Sequence, residues 1–158
     1  MKKYFLLFLL AFFLADARAE VVNSCDGIYS AQIVGGSEMR VTRNGREIGI
    51  VKIDHDISGG VFASNGRRLV VYGMPNKVDL RSPQAVFLSI YTLNPRPRMI
   101  MEKTYGGGIY EAAFGTQSNL VFISGRFGFD IIDTKKMKIK SFDPVSEPPF
   151  SRQRCKNG

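Results

Sequence analysis

The single histidine of this 158-residue chain, His55, stands between Asp54 and Asp56, just before Ser58-Gly59-Gly60. A histidine with two carboxylates offers the ligand types of a metal site, yet adjacent residues of an extended chain point to opposite faces and do not converge without a special turn. The expectation is a solvated turn that holds no metal. Nucleophilic hydrolysis has no better footing, because no nucleophile-elbow serine pattern occurs and His55 has no evident triad partners. Glu102, Glu111 and Asp130 are carboxylates that acid–base chemistry would need in pairs, but their spacing does not bring them together. Gly106-Gly107-Gly108 lacks the lysine, the hydroxyl residue and the following helix of a phosphate loop. No catalytic residue, cofactor or enzymatic mechanism is expected.

The other reactive residues are Cys25 and Cys155, far apart in the chain. A lone nucleophilic cysteine needs a general base, and a second cysteine in an exported protein points to a bridge, so the two are expected to pair and staple the termini. Export is read from Met1-Lys2-Lys3, the apolar run Tyr4 to Leu14 and Ala17-Arg18-Ala19, which together form a secretory signal cleaved after Ala19. That apolar run is about half the length of a spanning helix. Val22-Asn23-Ser24-Cys25 lacks the small-residue pattern that precedes a lipid-modified cysteine. The expectation is a signal peptide over residues 1–19, one domain over 20–158, periplasmic localisation and no stable membrane insertion.

Short β-rich runs must position whatever the chain presents. They cover Ile28 to Val34, Glu38 to Thr42, Glu47 to Ile53, Val61 to Ala63, Arg68 to Tyr72, Val86 to Tyr91, Met99 to Lys103, Ile109 to Phe114, Leu120 to Ser124, Phe127 to Ile132 and Met137 to Phe142. Asn44-Gly45 and Asn65-Gly66 suit two-residue hairpins, and Thr134-Lys135 is a third tight turn with less specific chemistry. Gly59-Gly60-Val61-Phe62 leading to Leu69-Val70-Val71 is echoed by Gly107-Gly108-Ile109-Tyr110 leading to Leu120-Val121-Phe122. An offset of about 50 residues with four strands per unit is blade-like, and the chain holds about three units where propellers close with four or more. The predicted fold is all-β: antiparallel hairpins in about three propeller-blade-like units, open rather than closed, with a β-sandwich as the alternative.

Two stretches interrupt the hairpins, Gly73 to Pro83 with Lys77, Asp79 and Arg81, and Tyr105 to Gly108. Loops on a rigid scaffold commonly carry binding, although each also reads as a plain connection. The tail from Pro144 is expected to be irregular and held mainly by Cys155. The formal charge of +8 favours acidic partners. Its cations cluster at Arg67-Arg68, at Arg96-Pro97-Arg98 and from Lys135 to Lys140, a pattern that export turns away from nucleic acid and toward an acidic protein or envelope polymer. Lys136, Lys138 and Lys140 also fit the solvent face of an edge strand.

Gly59-Gly60-Val61-Phe62-Ala63-Ser64-Asn65-Gly66-Arg67-Arg68-Leu69-Val70, extended through Glu102 to Gly108 towards Ser124, resembles the periplasmic immunity proteins that protect bacteria from type VI secreted cell-wall amidases. The resemblance covers at most half of residues 20–158. It implies a protein that binds a papain-like amidase and pushes loops into its active-site groove. On that reading Lys77, Asp79, Arg81 and Ser82 of the first loop and Tyr105, Gly107 and Tyr110 of the second contact the partner. Ser82 is matched to the family's groove-facing serine, and because the loop from Gly73 to Pro83 is longer than the family's, the resemblance implies a different contact geometry that uses Lys77 or Arg81. The competing expectations are a basic envelope-polymer-binding module and a structural subunit of an envelope complex.

Overall fold

The computed structural model describes residues 20–77 and 79–155, so the expected signal peptide lies outside the described residues. Twelve strands form three four-stranded antiparallel sheets in strict chain order, with no helix among the described residues. The first holds β1 (Val21–Asn23), β2 (Tyr29–Val34), β3 (Glu38–Arg43) and β4 (Arg46–Lys52). The second holds β5 (Gly59–Phe62), β6 (Arg68–Gly73), β7 (Val86–Thr92) and β8 (Arg98–Tyr105). The third holds β9 (Ile109–Phe114), β10 (Leu120–Gly125), β11 (Gly128–Asp133) and β12 (Lys138–Phe142). This is the open, blade-like arrangement expected from the repeat, with three sheets in place of the two of a sandwich. β1 is the one strand that hydrophobic patterning did not separate: it is three residues long, and only Val22 is buried.

Alternation along the strands creates two inter-sheet cores. Val22, Ala31, Met39 and Val41 of the first sheet meet Phe62, Leu69, Val71 and Tyr91 of the second. The opposite face of the second sheet offers Val70, Leu88 and Ile90, which pack on Phe114, Val121, Ile123 and Ile132 of the third. β6 therefore reads as a nearly continuous apolar run, Leu69-Val70-Val71, because it is buried on both faces.

The two outer faces end the stack differently. On the first sheet the face away from the core carries polar residues, including the Ser30–Thr42 hydroxyl pair at 2.8 Å and the Arg40–Glu47 ion pair at 3.0 Å. On the third sheet Phe122, Phe129 and Ile131 form an apolar patch that Phe142 and Phe150 help to cover. The C-terminal tail does more than end at a cysteine. Arg152 bridges Gly115, the Gln153 amide N–H donates to the Phe114 carbonyl (2.7 Å), the Gln153 side chain accepts from the Ser64 N–H (2.8 Å), and Cys155 is bonded to Cys25. The tail is thus a strap fastened in turn to the third, second and first sheets.

Strands alternate in direction, so every connection that follows an even-numbered strand falls at one end of the stack, and every turn that follows an odd-numbered strand falls at the other. The latter end is the one the strap crosses. Its turns differ in part from expectation. Asn44-Gly45 is a two-residue turn with positive φ at both positions (50° and 74°), as its residues dictate. Asn65-Gly66 is not: only Gly66 has positive φ, Ala63 N–H pairs with the Arg68 carbonyl, and the loop between them has four residues. Tyr29 lies across Gly66, leaving no room for a Cβ, so packing between sheets sets this turn. The Thr134-Lys135 turn also widens to four residues, because the Asp133 carboxylate accepts the N–H groups of Lys135 and Lys136 and Met137 takes positive φ.

Candidate functional site

The end opposite the strap gathers both interrupting loops. Val86 pairs with Tyr105 across β7 and β8, so the segment leading into β7 and the turn leaving β8 are direct neighbours. The connection from β8 to β9 in turn packs on the two-residue turn between β10 and β11: a Cβ on Gly107 would lie 2.9 Å from the Phe127 ring.

Each crossover between sheets is fastened by a polar contact, buried at the first and part-buried at the second. The crossover from β4 to β5 carries His55, which is completely buried, its Nδ1 2.6 Å from the Asp56 carbonyl oxygen and its Nε2 2.9 Å from Ser89 Oγ. The solvated turn expected for His55 is therefore incorrect. The Asp54-His55-Asp56 segment continues the β5–β6 hairpin: Asp56 N–H donates to the Met74 carbonyl, Asn76 N–H to the Asp54 carbonyl, and His55 forms a bridge with Pro75. His55 points inward against Phe87 while Asp54 and Asp56 remain exposed. Burial pushes the His55 imidazole below its ordinary value of 6.5, against the pull of the Asp56 carbonyl and nearby carboxylates. Both ring nitrogens are engaged, and no group of three or more His, Cys, Asp or Glu among the described residues is placed to hold a metal.

The crossover from β8 to β9 is held through Asp130 of β11. Its Oδ2 accepts from Lys103 Nζ at 2.6 Å and from Tyr105 Oη at 2.9 Å, both on β8. Asp130 thus pairs with a lysine and a phenol of the neighbouring sheet, not with Glu102 or Glu111. Burial alone would raise its carboxyl, but hydrogen bonds from Lys103, Ser141 and Tyr105 and the Lys103 charge outweigh that and hold it below the ordinary carboxylate range. The same burial, with Asp130 as neighbour, pushes the Tyr105 phenol far above its usual value. Around this network lies a cleft of about 240 Å³ lined by Gly106 to Gly108, Arg126, Phe127 and Phe142.

The candidate residues occupy this end in three different ways. Of the stretch from Gly73 to Pro83, the first part is scaffold: Gly73 belongs to β6 and lies against the Asp56 carbonyl, and Met74 to Asn76 pair with the crossover. Lys77, Asp79, Arg81 and Ser82 are exposed beyond it. Asp79 shapes the tip, accepting from the Arg81 N–H at 2.9 Å and pairing with its guanidinium at 3.3 Å, while Ser82 N–H donates to the Asp79 carbonyl. Tyr105 is largely buried and acts as an anchor, Gly107 gives the close approach to Phe127, and Tyr110 is 68% exposed at the start of β9. Patterning missed two apolar side chains: Leu80, 90% exposed at the loop tip, and Phe127, 77% exposed with Arg126 stacked on its ring. Phe127 reads as the first residue of a strand. The signal that separates it is the Gly125-Arg126-Phe127-Gly128 frame, whose glycines pair with one another and close a tight turn.

No protein-family model and no curated protein matches this chain. Solved structures share its fold. A provisional 6-phosphogluconolactonase from Bacteroides fragilis superposes with a TM-score of 0.54 at 13% identity, over 79% of this chain and 37% of its own. A eukaryotic initiation factor gives 0.57 at 11% identity, over 81% and 34%. The Swd1 β-propeller domain of Myceliophteria thermophila gives 0.50 at 11% identity, over 75% and 38%. The chain therefore spans little more than a third of these proteins, and what it shares with them is the propeller-like stacking of four-stranded sheets.

Proposed function

We propose that this protein is a periplasmic, non-catalytic inhibitor that binds a secreted peptidoglycan amidase of the papain-like cysteine hydrolase class and covers its active site with the loops opposite the strap. The observation that carries the reading is the placement of residues 79–83, 105–110 and 126–127 at one end of the stack. Single exposed apolar side chains on short polar loops, here Leu80, Phe127 and Tyr110, are the type of anchor that fills a groove in a partner. Their supports are ordered before binding, because His55–Ser89 and Asp130–Lys103 fasten the crossovers, and a preorganised loop loses little entropy on association. The Cys25–Cys155 bridge suits an oxidising compartment.

The test is capture of peptidoglycan amidases on the immobilised protein, followed by peptidoglycan cleavage with and without it. Stoichiometric loss of cleavage is expected. L80D and F127A should each weaken inhibition by about 2 kcal/mol, or roughly thirtyfold, with the melting temperature unchanged. Deletion of the whole stretch from Gly73 to Pro83 is unsuitable, because it removes the backbone partners of Asp54 and Asp56. Full amidase activity at excess protein would overturn the proposal.

A further inference from the structure

The strap end carries a feature of its own. The basic clusters that are separate in sequence meet there, since Arg67-Arg68, Arg96-Pro97-Arg98 and Lys135-Lys136 all lie in or beside turns that follow odd-numbered strands, as do Arg43 and Arg46. Gly49 of β4 accepts the ring of Pro97 so closely that a Cβ would lie 2.8 Å from its Cδ, which seats the Arg96 turn against the first sheet. A cleft of about 620 Å³ between the second and third sheets is lined by Arg67, Arg68 and Lys135 with Asn94 and Asn119. A second, of about 350 Å³, runs between the first and second sheets past Arg43 and shares Asn65, Arg67 and Asn94 with the first. The two form one groove across all three sheets.

Its charge is uncompensated. Among the described residues no carboxylate lines either cleft, and none of their ion pairs involves Arg43, Arg67, Arg68 or Lys135. Of the carboxylates at this end, Glu47 pairs with Arg40 and Asp26 accepts from the Ser24 hydroxyl and the Ile28 N–H, while Asp133 accepts from the N–H groups of Lys135 and Lys136 and offsets part of the Lys136 charge, leaving Arg43, Arg67 and Arg68 in excess. Stacked sheets lie about 10 Å apart, so cations contributed by successive sheets form a row about 20 Å long, which fits an extended polyanion better than a single small anion.

The rest of the lining selects among polyanions. Single-stranded nucleic acid needs aromatic faces on which bases stack. The only aromatic ring along the groove among the described residues, Tyr29, is stacked on Phe62 and lies under Arg43. The groove instead presents Asn65, Asn94, Asn119 and Gln117, amides that both donate to and accept from hydroxyl groups. We infer that this groove binds an acidic polysaccharide, with Arg43, Arg67, Arg68 and Lys135 meeting its anionic groups and the amides meeting its hydroxyls. The site is independent of the amidase reading, which uses the opposite end.

The experiment measures binding of the protein to dextran sulfate, polygalacturonate, neutral dextran and oligo-dT across a salt series. At least one of the two acidic glycans should bind, more tightly than oligo-dT and with affinity that falls as salt rises, while neutral dextran should not; which of the two wins tells sulfate from carboxylate. R67E/K135E should weaken glycan binding by about tenfold or more, whereas K52E/K140E, with the same net charge but outside the groove, should stay within about threefold. Absence of acidic-glycan binding at low salt, equal loss in the two double variants, or oligo-dT bound as tightly as the glycans would overturn the inference. Unchanged melting of R67E/K135E separates lost binding from lost fold.

Discussion

His55 Nε2 lies 2.9 Å from the hydroxyl of Ser89, 34 residues further along the chain, and both side chains are completely buried. A crossover between two sheets is thereby pinned to the third strand of the sheet it enters. The next crossover has a counterpart in Lys103 and Tyr105 on Asp130. In an open stack with no closing sheet, these contacts and the strap fix the angle between neighbouring units where apolar packing alone would let them slide, because hydrogen bonds are directional and apolar burial is not.

The His55 contact gives a pH dependence with a definite sign. Burial lowers the folded-state imidazole below 6.5, so the unfolded chain takes up a proton that the folded chain resists. Stability is full above the ordinary imidazole value and declines as pH falls through it towards the depressed folded value, by at most about 1.4 kcal/mol per pH unit. Urea midpoints of the native protein should fall between pH 7.5 and pH 5.5. H55Q should be less stable by about 1–3 kcal/mol at pH 7.5, having lost well-placed partners for Ser89 and Asp56, and flatter across this range. A native midpoint that does not change between the two pH values would contradict the assignment.

Asp130 acts in a lower window. Its folded-state carboxyl is held below the ordinary carboxylate range, so its contribution is present above about pH 4 and is lost as pH falls below that. D130N should destabilise by about 1–3 kcal/mol at neutral pH, a value reduced from that of a fully buried pair because Lys103 is partly exposed. K103M should lose less, and the double variant should lose less than the sum of the two, a coupling readable from denaturant unfolding. Strict additivity would show that the two groups are not partners in solution.

Strand positions were legible because nearly every strand is either half-buried and alternating or, like Leu69-Val70-Val71, buried on both faces and continuous. The repeat showed the number of units, since each sheet is a consecutive four-strand meander. What local pattern does not encode is which polar residue a remote neighbour needs. His55 looks solvated between two aspartates until Ser89 and Phe87 are in place, and Gly66 looks like half of a two-residue turn until Tyr29 lies across it. For the candidate site, patterning found the interrupting loops but not that the first four residues of one, Gly73 to Asn76, are scaffold. It also missed Leu80 and Phe127, because an exposed apolar residue has the same letter as a buried one.

The three adjacent glycines of the β8–β9 connection separate by environment. Gly106 has open space where a Cβ would go and no positive φ, so G106A should leave stability within about 0.5 kcal/mol. Gly108, at φ +80°, has space but a backbone that side chains resist, and G108A should cost about 1–2 kcal/mol. G107A should cost less in stability than G108A and yet be the one that moves Phe127, since its methyl meets that ring and Arg126. Thermal melts of the three variants, with solvent quenching of a tryptophan probe introduced by Phe127→Trp, read both effects. A G107A protein whose probe is unchanged would show that the loop does not rest on Phe127.

The strap predicts an order of events on reduction. Cys25 and Cys155 are separated by 130 residues, and a bridge closing so long a loop restricts the unfolded chain by about 4–5 kcal/mol on the chain-entropy account, of which measured bridges commonly deliver 2–4 kcal/mol. C25S/C155S should be destabilised by that smaller amount. Losing the bridge also frees the tail end that Gln153 and Arg152 hold by single contacts on Ser64, Phe114, Gly115 and Glu111. The side-chain contacts among them, Gln153 to Ser64 and Arg152 to Glu111, are exposed, whereas the inter-sheet cores are buried, so the tail should detach before the sheets separate. Limited trypsin digestion of the reduced protein should therefore cut first at Arg152 or Arg154, with loss of Phe150 from its patch reported by increased binding of an apolar dye, while the blade pairing around Leu69 and Ile90 stays protected from hydrogen exchange. First cleavage at Arg68 or Lys103, both within strands of the second sheet, would mean instead that the bridge holds the sheets together and not only the strap.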